Sequence, residues 1–178
     1  MNTVLLTNLI KIRWIAIAGQ LITLFITFFL FNFNIPLTEC LLVVISSVLI
    51  NFYSYFIQRA NSTLSDKKTF LFLLFDISQL VGLLFLTGGI FNPFVILILA
   101  PIIISASYLS AFWTILLSLY SIVLILIINF NYIPLNWEQK FITPSLYNIG
   151  ILVALIITIV FLAIYAYLFA SSARKISS

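Results

Sequence analysis

Long apolar runs separated by short polar connections make up most of the chain. The runs are continuous rather than alternating between apolar and polar positions, a pattern that favours helices over the strands of a membrane barrel. Most of them approach the ~20 apolar residues that a helix needs to cross a bilayer. The pattern therefore predicts an all-α, polytopic membrane helical bundle with six transmembrane helices, at residues 14–33, 40–57, 69–87, 94–110, 111–129 and 146–170.

Turn-forming residues separate several of these runs. Pro36 follows the first run, and the stretch Gly88–Pro93 follows the third, where glycine and proline disfavour a continuous helix. The break near Tyr108–Ala111, between the fourth and fifth runs, carries no charge, glycine or proline. An alternative therefore stays open, in which these two runs form one re-entrant hairpin instead of two full spans.

The composition agrees with a membrane protein. Of the 178 residues, 64% are apolar and 7% are charged, whereas about 25% of a soluble domain is charged. These values exclude a soluble globular domain, a disordered segment and a nucleic-acid-binding module. The chain has one cysteine, Cys40, and no histidine, so an internal disulfide is excluded and we expect no metal. The long first run is expected to be a retained anchor rather than a cleaved signal.

The positions of the basic residues predict the orientation. When six helices start from a cytoplasmic N-terminus, Lys140 alone of the eight basic residues falls outside. Basic residues concentrate on the cytoplasmic side of membrane proteins, so both termini are expected in the cytoplasm. Aromatic side chains near the span ends are expected to form interfacial belts; they include Trp14, Tyr53, Trp113, Tyr132 and Trp137.

A few polar side chains lie inside the apolar runs. Asp76 is the one acid deep in a predicted span, where its insertion costs ~2–3 kcal/mol. Gln20 and Asn51 lie at nearly the same depth in two other helices, which predicts a polar layer of these three residues. Gln79 lies one turn deeper on the face of Asp76. Two readings stay open: the layer specifies helix packing, or it has a proton-transfer or signal-coupling role.

The heptapeptide Gly88–Phe94 also has two readings. In the first it is a helix-turn-helix link, because glycines can end a helix, Asn92 is a suitable N-cap and Pro93 a suitable first helical residue. In the second it is a ligand site, because the turn is uncharged and carries the aromatic faces of Phe91 and Phe94. Such a site suits a flat, apolar ligand with polar carbonyls.

Three stretches resemble the RegB/PrrB-type redox-sensing histidine kinases. Arg13–Gln20 is similar to the start of that family's first membrane helix, and Asp76–Leu80 followed by Leu86–Gly89 is similar to its third. The heptapeptide matches the family's GGxxNPF pattern at every fixed position. The resemblance extends over the whole chain in layout, because the family's sensor part has six spans with both ends inside.

The resemblance implies a function. Family members sense ubiquinone or another respiratory quinone as part of a two-component regulatory system in the bacterial inner membrane. They signal as homodimers through a cytosolic kinase domain to a response regulator. The sixth helix is then expected to relay the signal. The implied quinone contacts are Gly88, Gly89, Asn92, Pro93 and Phe94, with Phe91 adding an aromatic face.

The chain also departs from the family pattern. It has no phospho-accepting histidine, and it lacks the glycine-rich ATP lid and the redox-active cytoplasmic cysteine of the kinase half. We therefore expect this chain to be an excised sensor part or a truncated gene product without kinase activity of its own. Two rival functions stay open. One is a small transporter or channel that uses Asp76 and Gln79, and the other is a structural membrane subunit.

Overall fold

The protein is described here by a computed structural model. The description covers residues 4–57 and 63–137, and seven helical positions between residues 149 and 160. The helices are α1 (Leu6–Phe25), which continues into a π-helical turn (Ile26–Leu30), α2 (Leu37–Ile57), α3 (Asp66–Leu86), α4 (Leu99–Tyr108) and α5 (Ala111–Phe130). Two 3-10 helices, Gly89–Phe91 and Pro93–Ile98, join α3 to α4. The strands are β1 (Val4–Leu5), β2 (Phe33–Asn34), β3 (Thr63–Leu64) and β4 (Asn136–Trp137).

The predicted helical membrane fold is confirmed in its coarse form. Four helices in the described part of the chain are long and apolar enough to cross a membrane: Leu6–Leu30, Leu37–Phe56, Asp66–Leu86 and Ala111–Phe130. The arrangement in six spans and the cytoplasmic side of both termini stay predictions. Most of the sixth predicted span, residues 146–170, lies outside the described residues.

The first helix begins earlier than the apolar run indicates. It starts at Leu6 rather than at residue 14, because Leu9, Ile10 and Ile12 are buried against the rest of the bundle. Buried apolar residues at this spacing form one face of a helix. As a result, Arg13 lies within α1 instead of in a polar lead-in before it.

The helix α3 lies at the centre of the bundle. It packs against α2, α4 and α5, and its side chains reach α1 through hydrogen bonds. Half of the residues in its most apolar stretch are buried inside the bundle, against 17% in that of α5. Leu73 and Ile77 are fully enclosed. The exposed faces of the outer helices are apolar, as expected for helices that contact lipid.

Short strand pairs join the ends of the helices. Val4 pairs with Leu64 in the antiparallel pair β1–β3, which places the starts of α1 and α3 at the same end of the bundle. At the opposite end, Phe33 pairs with Trp137 in the antiparallel pair β2–β4. The loop after the first helix is thereby bonded to the segment that follows α5.

The fourth run returns from the end of α3 to the start of α5. The Phe70 and Trp113 rings, near the starts of α3 and α5, lie 4.9 Å apart, and Gly88 and Ile133 meet beyond the other ends of the same helices. Hence α3 and α5 run side by side in one direction. The stretch Pro93–Tyr108 returns between their two ends over ~27 Å, close to the ~30 Å hydrocarbon core. At 16 residues, Pro93–Tyr108 is shorter than the four candidate spans, and a full span here stays a prediction.

Cysteine labelling distinguishes the two arrangements. In a Cys40→Ala background, we expect Ser110→Cys to react with a membrane-impermeant maleimide only from the cytoplasmic side, because Ser110 is exposed in the turn between α4 and α5. Ser65→Cys, at the start of α3, is the control for the same side, and Asn34→Cys is the control for the opposite side. Labelling of Ser65→Cys but not of Ser110→Cys from the cytoplasm would support the hairpin.

Candidate functional site

The two glycines of the heptapeptide form the turn that ends α3. Gly88 has a φ angle of 105° and Gly89 a φ angle of 62°, a left-handed backbone conformation that side chains with a Cβ rarely adopt. The Thr87 N–H donates to the Leu84 carbonyl at the end of the helix. The glycines therefore end the third helix, as the helix-turn-helix reading predicts.

Asn92 holds the turn together through its side-chain amide. Its Oδ1 accepts from the Phe94 N–H at 2.9 Å, which makes Asn92 the N-cap of a helix that begins at Pro93. Its Nδ2 donates to the Thr87 carbonyl at 3.0 Å and to the Thr87 Oγ1 at 2.8 Å. The amide has two N–H donors, and these two acceptors within the turn use both of them. The amide that was expected to meet a quinone oxygen thus stabilises the heptapeptide itself.

The segment 131–135, which follows α5, closes over the glycines. The Gly88 N–H donates to the Ile133 carbonyl at 3.0 Å, and the Ile133 N–H donates to the Phe85 carbonyl at 2.8 Å. A Cβ added to Gly89 would lie 2.7 Å from the Cβ and Cγ of Tyr132. The contact leaves no room for a side chain at that position.

The heptapeptide presents one aromatic ring outward. Phe91 is 58% exposed, and its ring centroid lies 5.7 Å from that of Tyr132 with the planes tilted by 57°. Phe94 is half-buried and packs against the main core. On the other side of the turn, the Cγ of Pro93 lies 4.0 Å from the place that a Cβ at Gly150 would take. The turn therefore contacts the segment after α5 and lies near Gly150 of the sixth run.

An ion pair connects α1 with α3 inside the bundle. The Arg13 Nε donates to Asp76 Oδ1 at 2.8 Å, and Nη2 donates to Oδ2 at 3.0 Å. The side chain of Arg13 is 5% exposed and that of Asp76 26%. The guanidinium also lies 5.1 Å from the ring centroid of Phe72. This two-point geometry is the strong form of an arginine–carboxylate pair.

The amides deeper in the bundle pair with each other. Gln20 and Gln79 exchange two hydrogen bonds, of 3.1 Å and 3.0 Å. Asn51 instead donates to the Ile10 carbonyl of α1 at 3.1 Å, and its Oδ1 is buried without a partner among the described residues. All three amides are thus directed at neighbouring helices.

Gln20, Asn51 and Asp76 therefore do not hold the predicted polar layer together by bonds to one another, because each bonds to another residue. Asp76 binds Arg13 instead, because α1 begins early enough to carry that residue into the bundle. A charged donor satisfies a carboxylate better than an amide does. The spacing of Arg13 and Gln20, seven residues apart and on one helix face, is the signal in the sequence that could have identified the partner.

Breaking the ion pair tests its contribution to stability. We expect Asp76→Leu to lower the free energy of unfolding by about 3 kcal/mol, because it leaves the Arg13 charge buried and unpaired. Replacing both partners, Arg13→Met with Asp76→Leu, should recover most of that loss, since no unpaired charge remains. Unfolding of the purified protein in detergent measures both effects.

Lys11→Met provides the matched control for this test, because Lys11 lies on the same helix and is exposed. It should leave the stability almost unchanged. If the double variant is as unstable as Asp76→Leu alone, the unpaired charge of Arg13 is not the cause of the lost stability.

The glycine turn gives a second stability test. We expect Gly89→Ala to lower the free energy of unfolding by at least about 2 kcal/mol, because the new Cβ is strained at this φ and collides with Tyr132. Gly19→Ala is the control, because a Cβ there meets nothing within 4 Å and the position is helical. Equal melting temperatures for the two variants would contradict the observed packing of Tyr132.

Comparison with known proteins identifies the relatives of the chain. It is 35% identical over 174 residues to the sensor histidine kinase RegB of Cereibacter sphaeroides, an alignment that covers 97% of the chain and 38% of that protein. A RegB sequence from another strain of the species is 36% identical over 75 residues, which are 42% of the chain and 16% of the relative. No protein-family profile matches, and no solved structure matches.

The chain thus spans less than two fifths of the length of the RegB protein that it matches over 174 residues. That alignment includes nearly all of the present sequence and four helices capable of crossing a membrane. The resemblance drawn from the sequence is confirmed: over nearly its whole length, the chain is similar to the sensor histidine kinase RegB.

Proposed function

We propose that the chain is the membrane sensor part of a two-component histidine kinase and that it binds a respiratory quinone beside the heptapeptide, in a bacterial inner membrane. The likeness to RegB supports the sensor-kinase assignment. The observation that carries the ligand site is the turn itself, which is held by internal hydrogen bonds while the Phe91 ring stays largely exposed.

The residues of the heptapeptide divide into two roles in this proposal. Gly88, Gly89, Asn92 and Pro93 form the turn and hold its shape. Phe91 then offers the flat apolar surface on which a quinone ring stacks. Stacking supplies affinity for quinone and quinol alike, so the choice between them depends on a polar group that meets the ring oxygens.

A ligand at this turn has a short route to the sixth run. Gly150 lies next to Pro93, so a ligand that moves the turn also acts on the start of that run. A ligand shifts a two-state protein only by the difference between its affinities for the two states. The sixth helix would relay this shift to a cytosolic kinase domain and, through it, to a response regulator. We further propose that the protein acts as a homodimer.

The polar pairs in the bundle favour coupling or packing over transport. Arg13 and Asp76 satisfy each other, and so do Gln20 and Gln79. Side chains that line a transport pathway need polar groups directed at the moving solute. In the described part of the bundle, these four side chains instead link α1 to α3.

Titration with a quinone tests the proposed site. We expect the purified chain in lipid nanodiscs to bind ubiquinone-1 and Phe91→Ala to weaken that binding about tenfold, because the stacking surface is lost. Quenching of the intrinsic tryptophan fluorescence measures the affinity. Phe29→Ala is the matched control, because Phe29 is 62% exposed near the end of the first helix. This variant should bind ubiquinone-1 as tightly as the unchanged chain does.

Two outcomes would contradict the proposal. If the unchanged chain does not bind ubiquinone-1 or a menaquinone analogue, the quinone function is wrong and a structural membrane subunit becomes the better reading. If Phe91→Ala and Phe29→Ala bind equally well, the ligand site lies away from the heptapeptide.

A further inference from the structure

A polar group beside the heptapeptide is needed if the site is to distinguish quinone from quinol. Two hydrogen-bond donors among the implied quinone contacts are already occupied. The Asn92 amide donates to Thr87 and accepts from Phe94, and the Gly88 N–H donates to Ile133. A quinone carbonyl needs a donor, and using either the Asn92 Nδ2 or the Gly88 N–H as that donor would break a bond that holds the turn. A group from another segment is therefore a better candidate.

We propose that Tyr132 belongs to the quinone site and that its hydroxyl binds a ring oxygen of the quinone, an inference that rests on the proposed function. Tyr132 packs directly on the heptapeptide from the segment that follows α5. Its ring lies 5.7 Å from Phe91, and its Cβ and Cγ lie against Gly89. A ligand stacked on Phe91 is thus next to the phenol.

The position of Tyr132 is set by the backbone on both sides of it. The Asn131 N–H donates to the Ile127 carbonyl at the end of α5. Ile133 is bonded through its carbonyl to Gly88 and through its N–H to Phe85. Tyr132 is held between these two anchored residues. Its ring can approach the backbone at position 89 so closely because a glycine, which has no Cβ, stands there. A group fixed in this way is preorganised for a ligand, which lowers the entropic cost of binding.

The phenol has the chemistry that the site requires. A quinone carbonyl can only accept a hydrogen bond, whereas a quinol hydroxyl both donates and accepts. The tyrosine hydroxyl donates one hydrogen and also accepts, so it can serve either form. It donates to the carbonyl of the quinone, whereas with the quinol it can either donate or accept, and the proposal is that these bonds differ in strength. Tyr132 thereby becomes a specificity-determining residue, whereas Phe91 supplies affinity.

The alternative is that Tyr132 belongs to an interfacial aromatic belt and contacts no ligand. Tyrosines gather at membrane boundaries because their rings are apolar and their hydroxyls polar. A belt role depends on the hydroxyl meeting water and headgroups, and it predicts no effect on quinone binding. The two roles are separated by removing the hydroxyl alone.

Tyr132→Phe is the variant that makes this test. It keeps the ring against Gly89 and Phe91, and we expect it to bind ubiquinone-1 about fivefold more weakly than the unchanged chain. The ratio of the affinities for ubiquinone-1 and ubiquinol-1 should change as well. Tyr53→Phe is the matched control, because Tyr53 is exposed on α2, away from the heptapeptide, and should change neither affinity nor ratio.

Infrared spectroscopy gives a second readout that does not depend on affinity. Bound ubiquinone-1 labelled with ¹³C at its carbonyls should show a downshifted carbonyl band in the unchanged chain. That shift should be lost in Tyr132→Phe at saturating ligand. A structural role alone would leave the band in place.

The outcomes separate this inference from the proposed function. If the unchanged chain binds ubiquinone-1 and Tyr132→Phe has the same affinity, ratio and carbonyl band, Tyr132 is not a ligand residue while the quinone site stands. If the unchanged chain binds no quinone, the proposed function fails, and this inference with it.

Discussion

The hydrogen bonds of the Ile133 backbone connect the parts of the candidate site. Its carbonyl accepts from Gly88 and its N–H donates to Phe85, so the end of α3 is joined to the segment that follows α5. Backbone groups at membrane depth must find partners within the protein, because lipid offers none. At a helix end the last carbonyls lack partners within the helix, and here the neighbouring segment supplies one. The close contact of Gly89 with Tyr132 and the pairing of Phe91 with the same ring follow from this junction.

Polar side chains in the interior of the bundle also find their partners within the protein. Arg13 and Asp76 carry opposite charges in a setting where an isolated charge is costly, and their two-point contact satisfies both. Gln20 and Gln79 repeat the arrangement with neutral amides further along the same two helices. Apolar packing alone allows neighbouring helices to slide or rotate, because lipid and leucine are equally apolar. Two directional pairs between α1 and α3 select one register, so these residues specify the arrangement of the bundle.

Much of the fold could be predicted from local features of the sequence. Continuous apolar runs indicated helices, and the glycines, Asn92 and Pro93 gave the turn that the structure has, since capping depends on residues close in the chain. Arg13 was missed as a partner of Asp76 because its charge placed it in a polar lead-in, whereas the buried apolar residues before it extend the helix. The contact of Tyr132 with the heptapeptide was missed as well. Its contact with Gly89 joins positions far apart in the chain, which local patterns do not contain.

The location of the heptapeptide explains how binding there could act at a distance. Three segments meet at it: the end of α3 through the glycines, the segment 131–135 through Tyr132, and the sixth run through Gly150 beside Pro93. The turn is stiffened by the Asn92 amide, so a force on it is passed to its neighbours rather than absorbed within it. On the proposed function, a quinone stacks on the exposed ring of Phe91 beside Tyr132 and acts on the turn through Phe91. In that proposal the sixth run is the segment that responds, because Gly150 lies near Pro93 of the turn.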